Sequence, residues 1–154
     1  MGATFIAYSK VCETRDNIPY SMVQRIRGMM MAYCERNYEH TEGWAERFYT
    51  TVFHTTDGDG YDKLMEDVRH CAYRIPGAGQ DVLWGVYNFC NHADCGGGWD
   101  YASSCEIVKA LDAILGEEDS EGIPYINNEH DRERIIQMRD VFESVDEDGK
   151  AEIA

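Results

Sequence analysis

Apolar residues recur at three- and four-residue steps along most of this chain, and that spacing puts them on one face of successive helices. Met22, Val23, Ile26, Met29, Met30 and Tyr33 mark a first helix running to about Arg36, with Pro19 suited to its first turn. The run Met29-Met30-Met31 reads as core filling. Tyr61, Leu64, Met65, Val68, Ala72 and Ile75 mark a second, which Pro76-Gly77-Ala78-Gly79 ends. Ile107, Val108, Leu111, Ile114 and Leu115 mark another, opened by the capping box Ser103-x-x-Glu106 and stopped by Gly116. Ile135, Ile136, Met138, Phe142 and Val145 follow Asn128, a good helix cap.

Two segments carry mixed patterns. Trp44, Phe48 and Val52 lie four apart, although Tyr49–Phe53 has strand composition. Asp81–Asn91 combines length with the helical spacing of Leu83, Tyr87 and Cys90. A helix is favoured for both. Thr4–Tyr8 reads as a short strand, Cys12–Ile18 as a polar connection, and Lys150–Ala154 as a strand closing beside the first. The expectation is one compact domain over residues 1–154, mainly α, with five or six helices and a minor two-stranded β element from the termini. It becomes α+β if 47–54 or 81–90 is a strand. Thr55–Glu66 sets Asp57, Asp59, Gly60 and Glu66 at calcium-loop offsets, but Thr55 and Asp62 stand where an acid and an apolar residue belong, so it reads as a turn and cap.

Composition narrows the function classes. Of 154 residues 44% are hydrophobic, enough for a core and too many for a disordered chain. No apolar run approaches the roughly 20 residues that span a bilayer, and Met1–Lys10 lacks the organisation of a signal peptide. The expected location is the cytoplasm, where the six cysteines remain free thiols and Cys34, Cys71 and Cys90 pack as small hydrophobes. With 29 acidic against 14 basic residues the formal charge is −15. That argues against direct nucleic-acid binding and against anionic membranes, and for a protein partner with a basic surface. Glu117, Glu118, Asp119 and Glu121, in the acidic linker, are the foremost candidate contacts.

Asn88–Cys105 (N-F-C-N-H-A-D-C-G-G-G-W-D-Y-A-S-S-C) concentrates chemistry-bearing residues around a glycine triplet. Its candidate functional residues are His92, Asp94, Cys95, Gly97 and Trp99. Cys95 near a helix N-terminus could act as a thiol nucleophile with His92 as base and Gly96–Gly98 amides as oxyanion donors. Cys90, His92, Asp94, Cys95 and Cys105 are acceptable zinc ligands, although Cys-x4-Cys-x9-Cys lacks the usual paired spacing. The plainer reading is an inter-helix corner, with Asp94 and His92 satisfying the backbone and Trp99 covering the core. A third use is stacking of a small nucleotide among Trp84, Tyr87 and Trp99, for which Arg25 and Arg27 are the only compact basic pair in the first helix.

At this loop Phe89, His92, Ala93, Asp94, Cys95, Gly97, Trp99 and Cys105 resemble a motif, F-x-x-H-(S/A)-D-C-x-G, of small uncharacterised bacterial and phage proteins. Gly96 stands where an acid is common, and the spacing to Cys105 is one residue longer than in that motif. The resemblance implies a microbial or viral source and an important loop, without a reaction. The expected function is therefore a non-enzymatic binding protein of the bacterial cytosol, a phage or mobile-element inhibitor that occupies a basic site on a host protein and needs no cofactor. The alternative is a zinc or thiol site at His92, Asp94 and Cys95.

Overall fold

The computed structural model describes residues 2–8, 13–54, 58–91 and 98–153. The order is β1 (Gly2–Tyr8), β2 (Glu13–Pro19), α1 (Tyr20–Asn37), α2 (Trp44–Tyr49), a π-helical turn (Thr50–His54), α3 (Gly58–Arg74), α4 (Ala78–Cys90), β3 (Gly98–Asp100), α5 (Tyr101–Gly116), α6 (Glu129–Glu143) and β4 (Lys150–Ile153). The fold is mainly α, with a minor antiparallel sheet of strand order β2-β1-β4-β3. Both ambiguous segments are helical: 81–90 lies in α4, and 47–54 lies in α2 and the π-helical turn.

The sheet is larger than the terminal pair expected from sequence. β4 does pair with β1, Phe5 opposite Ile153 and Ala7 opposite Ala151. Two further strands flank them. The segment read as a polar connection is β2, paired with β1 so that Phe5 faces Asp16. β3 pairs with β4, Trp99 opposite Ala151. Alternation along β1 turns Ala3, Phe5 and Ala7 toward the helices, and Ala151, Ile153 and Trp99 continue that inner face. The glycine triplet thus leads into an edge strand rather than directly into a helix. Gly98 has a packing reason: a Cβ there would lie 2.8 Å from the Ala151 carbonyl oxygen.

Met22, Val23, Ile26, Met30, Met31 and Cys34 bury the inner stripe of α1, and Leu64, Met65, Val68 and Ala72 that of α3. Pro19 ends β2 one residue before α1 instead of lying within its first turn. α4 crosses α5 at Gly85, where a Cβ would lie 2.1 Å from the Glu106 carbonyl oxygen, so any other residue would force the helices apart. Asp59, Gly60 and Asp62 lie on helix α3, not in a calcium-type loop; Thr55–Asp57 fall outside the described residues.

Helix starts follow capping chemistry. Asn128 accepts the Asp131 amide at 3.1 Å and opens α6 as expected. α5, however, begins at Tyr101, with Asp100 accepting the Ser103 amide at 2.8 Å. Ser103 is already helical because β3 delivers the chain to the cap at Asp100. The linker after Gly116 is also ordered by its own bonds: Asp119 accepts the amides of Glu121 and Ile123, and Glu118 bridges to Pro124. In urea denaturation Asp100→Ala should cost about 1 kcal/mol and Ser103→Ala clearly less. The opposite ranking would restore the capping-box start.

Candidate functional site

The best-defined part of the Asn88–Cys105 stretch is its base. Helix α4 ends there with carbonyls that have no intrahelical partner. One is closed by the helix's own C-cap residue and two find partners in other elements. Tyr87 O accepts the Asn91 amide at 2.8 Å, Asn88 O accepts the Trp99 indole N–H at 3.0 Å, and Cys90 O accepts the Tyr61 hydroxyl. Trp99 is 4% exposed and stacks on Phe5 (centroids 6.3 Å apart) and Phe89 (6.4 Å), with Phe142 edge-on at 5.1 Å. Asn91 and Gly98 therefore leave and re-enter the structure at points tied to one aromatic cluster. His92, Asp94, Cys95 and Gly97 lie outside the described residues.

A buried arginine sits under this base. Arg27 is 2% exposed, with its guanidinium carbon 5.3 Å from the Phe89 ring centroid and Nη1 3.4 Å from Gln24 Oε1. Sequence reading grouped it with Arg25 as a basic pair, but residues two apart on a helix diverge. Arg25 is at the surface, bonded to Asp131 at 2.8 Å. The clue was available: Val23, Arg27, Met30 and Cys34 share the buried stripe, so Arg27 occupies a core position. Tyr61, one turn of α3 before buried Leu64 and Met65, was read only as an apolar residue, and its hydroxyl role was missed.

Cys34, Cys71 and Cys90 behave as packing groups. Cys34, Cys71 and Cys90 are buried and free, and Cys105 is half-buried and free. Burial pushes the Cys90 thiol up to about 12, opposed only partly by Arg27, and burial raises Cys34 and Cys71 as well. A thiolate is disfavoured at all three, most strongly at Cys34 and Cys90. Cys105 instead hydrogen-bonds Tyr101, whose phenol is raised by that bond. Among the described residues no three His, Cys, Asp or Glu side chains converge on a metal position. Nor do Trp84, Tyr87 and Trp99 form one stacking site. Trp84 and Tyr87 meet edge-on at 5.8 Å near the surface, while Trp99 is in the core.

The four linker acids divide. Glu117 is gripped by Arg36 through Nε and Nη2 and by Asn37 at 2.7 Å, and Arg36 also lies over the Tyr125 ring at 4.1 Å. Asp119 is held by its turn. Glu118 and Glu121 are exposed and make no ion pair among the described residues. Seven exposed or half-buried cations are committed, since Arg25, Arg36, Arg47, Arg69, Lys109, Arg139 and Lys150 each bond a carboxylate, whereas the exposed Lys63 and Arg74 make no ion pair among the described residues. Arg132 turns inward to the carbonyls of Leu115 and Ile126. No helix among the described residues is long and apolar enough to cross a membrane. Comparison with protein-family models, curated proteins and solved structures gives no match.

With Cys12, Cys95 and Cys105 replaced by serine, a thiol reagent should label no cysteine of the native protein, and labelling should not rise between pH 7 and 9. Urea should release Cys34, Cys71 and Cys90 together. Native labelling of Cys90 would contradict the burial that sets its high pKa.

Proposed function

We propose that this chain is a non-enzymatic binding protein that occupies the basic surface of a partner protein in the bacterial cytosol, an inhibitor of the kind a phage or mobile element would encode. The observation that carries the reading is the charge excess. Ion pairs at the surface cancel cations and carboxylates one for one, and the excess of 29 acidic over 14 basic residues leaves a net charge of −15 as a negative field. Such a field attracts a cationic surface over several ångströms and repels phosphates. Glu118 and Glu121 project from a linker braced by Asp119 and Arg36, so their presentation costs little further ordering.

The immobilised protein should retain a basic, nucleic-acid-binding protein from a bacterial lysate at about 0.1 M salt, where the Debye length is about 10 Å, and release it at about 1 M, where it is about 3 Å. Added DNA should compete for that partner. Joint Glu118→Lys and Glu121→Lys substitution should slow association about tenfold. Retention of no partner at low salt, or capture indifferent to both salt and charge reversal, would end the proposal.

A further inference from the structure

A cavity of about 480 Å³ opens where the connection after α1 meets the end of α3. Tyr38 and His40 line it on one side, and Cys71, Arg74, Ile75 and Pro76 on the other. Its walls are fixed. The Tyr38 ring meets Tyr33 edge-on at 6.0 Å, and Tyr38 and Ile75 both press on α4 at Gly79, where a Cβ would lie 3.1 Å and 3.0 Å from them. Thr41, 1% exposed, ties the connection down by sharing its hydroxyl proton between the carbonyls of Cys34 at 3.1 Å and Tyr38 at 2.7 Å. His40, inside that tie, has φ +64° and is the one non-glycine residue with a positive φ among those described. Such a backbone is disfavoured for any residue with a Cβ, so the fold holds this imidazole beside the cavity at a local cost.

Three features say what the cavity would take. First, Arg74 makes no ion pair among the described residues, whereas Arg25, Arg36, Arg47, Arg69 and Arg139 are each bound to a carboxylate. Its field reaches the wall: burial raises the Cys71 thiol, and Arg74 is the one charged group among the described residues that acts on it, lowering it. Secondly, the carbonyls that would repel an anion are closed. Cys34 O accepts the Tyr38 amide, Cys71 O the Ile75 amide, Ala72 O the Gln80 side chain, and Glu39 O the Cys71 thiol at 3.9 Å. Thirdly, Ile75, Pro76 and the Tyr38 ring leave apolar surface between the donors. Apolar walls with a few placed polar groups are the usual form of a small-molecule site, and a guanidinium matches the planar fork of a carboxylate. The exposed Glu39 also borders the cavity, so one free cation facing it suits a single negative charge rather than a phosphate dianion.

We propose that this cavity binds a small monocarboxylate with an apolar body, its carboxylate held by Arg74 and an N–H of the His40 imidazole and its body lying against Ile75, Pro76 and the Tyr38 ring. The site stands apart from the basic-partner reading above and adds a small-molecule ligand to the chain. Cys71 serves there as wall and takes no part in chemistry.

Phenylacetate is the probe, with neutral phenylacetamide and cationic phenethylamine as its charge controls. Each is titrated into the full chain at about 0.15 M salt, where a Debye length of about 8 Å screens the distant acids, and followed by amide NMR shifts. Phenylacetate should shift the amides of residues 38–41 and 71–75 saturably and bind more tightly than either control. Arg74→Gln should weaken it about tenfold. Lys63→Gln, which removes another uncommitted cation, should leave its affinity unchanged. His40→Gly should weaken it while the urea midpoint stays equal or rises, because glycine relieves the positive φ. Phenylacetate bound no more tightly than phenylacetamide, shifts confined to other residues, or equal affinities of the Arg74→Gln and Lys63→Gln variants would overturn the site. Wild-type affinity in His40→Gly would overturn the part given to the imidazole.

Discussion

The indole of Trp99 packs against Phe5 from β1, Phe89 from α4 and Phe142 from α6, and its N–H closes the last turn of α4 through Asn88. One side chain from a three-residue strand thus joins the sheet to two helices. A buried tryptophan removes roughly 150–250 Å² from water, worth about 4–6 kcal/mol at 25 cal/mol per Å². β3 itself has too few backbone bonds to hold an edge strand in place without this side chain. Around the same cluster, Tyr61 satisfies Cys90 O and Arg27 lies over Phe89, so the polar groups at the base of the loop are held by the core.

That rigid frame shapes the surface. Helices α3, α4 and α5 are fixed by apolar stripes, by the close approach at Gly85 and by outer contacts such as Lys109–Asp81 and Tyr73–Trp84. The ion pairs then act less as stabilisers than as neutralisers. Exposed pairs contribute about 0–1 kcal/mol each, and each one cancels a cation and a carboxylate together in the surface field. The excess of carboxylates over cations remains outward, which is why the proposed partner is basic.

Much of this architecture is legible in the sequence because helical periodicity is local. The stripes on α1, α3, α5 and α6 and the Asn128 cap follow from residues near one another in the chain, whereas the pairing of β4 with β1 joins segments far apart in sequence that each read as a strand. β2 is not legible: E-T-R-D-N-I-P has no apolar alternation and becomes a strand through its register with β1. β3 is too short to show a period. Asp100 and Ser103 both satisfy a capping pattern, and only the strand before them decides between the two. At the candidate site, net charge was readable but its pairing was not, since Arg36 and Glu117 are 81 residues apart and Arg25 and Asp131 106. The aromatic pair Trp84 and Tyr87 was visible as residues four-fifths of a turn apart on one helix face; Tyr73 joins them only through the packing of α3 on α4.

The claim on which this account turns is that Trp99 locks β3 and the base of the loop into the core. Hydrogen exchange at the Trp99 indole N–H tests it most directly. The account predicts that this proton exchanges only through global opening, with the same free energy and urea dependence as unfolding of the whole chain. Exchange through a local opening, fast and insensitive to urea while the helices stay protected, would contradict it.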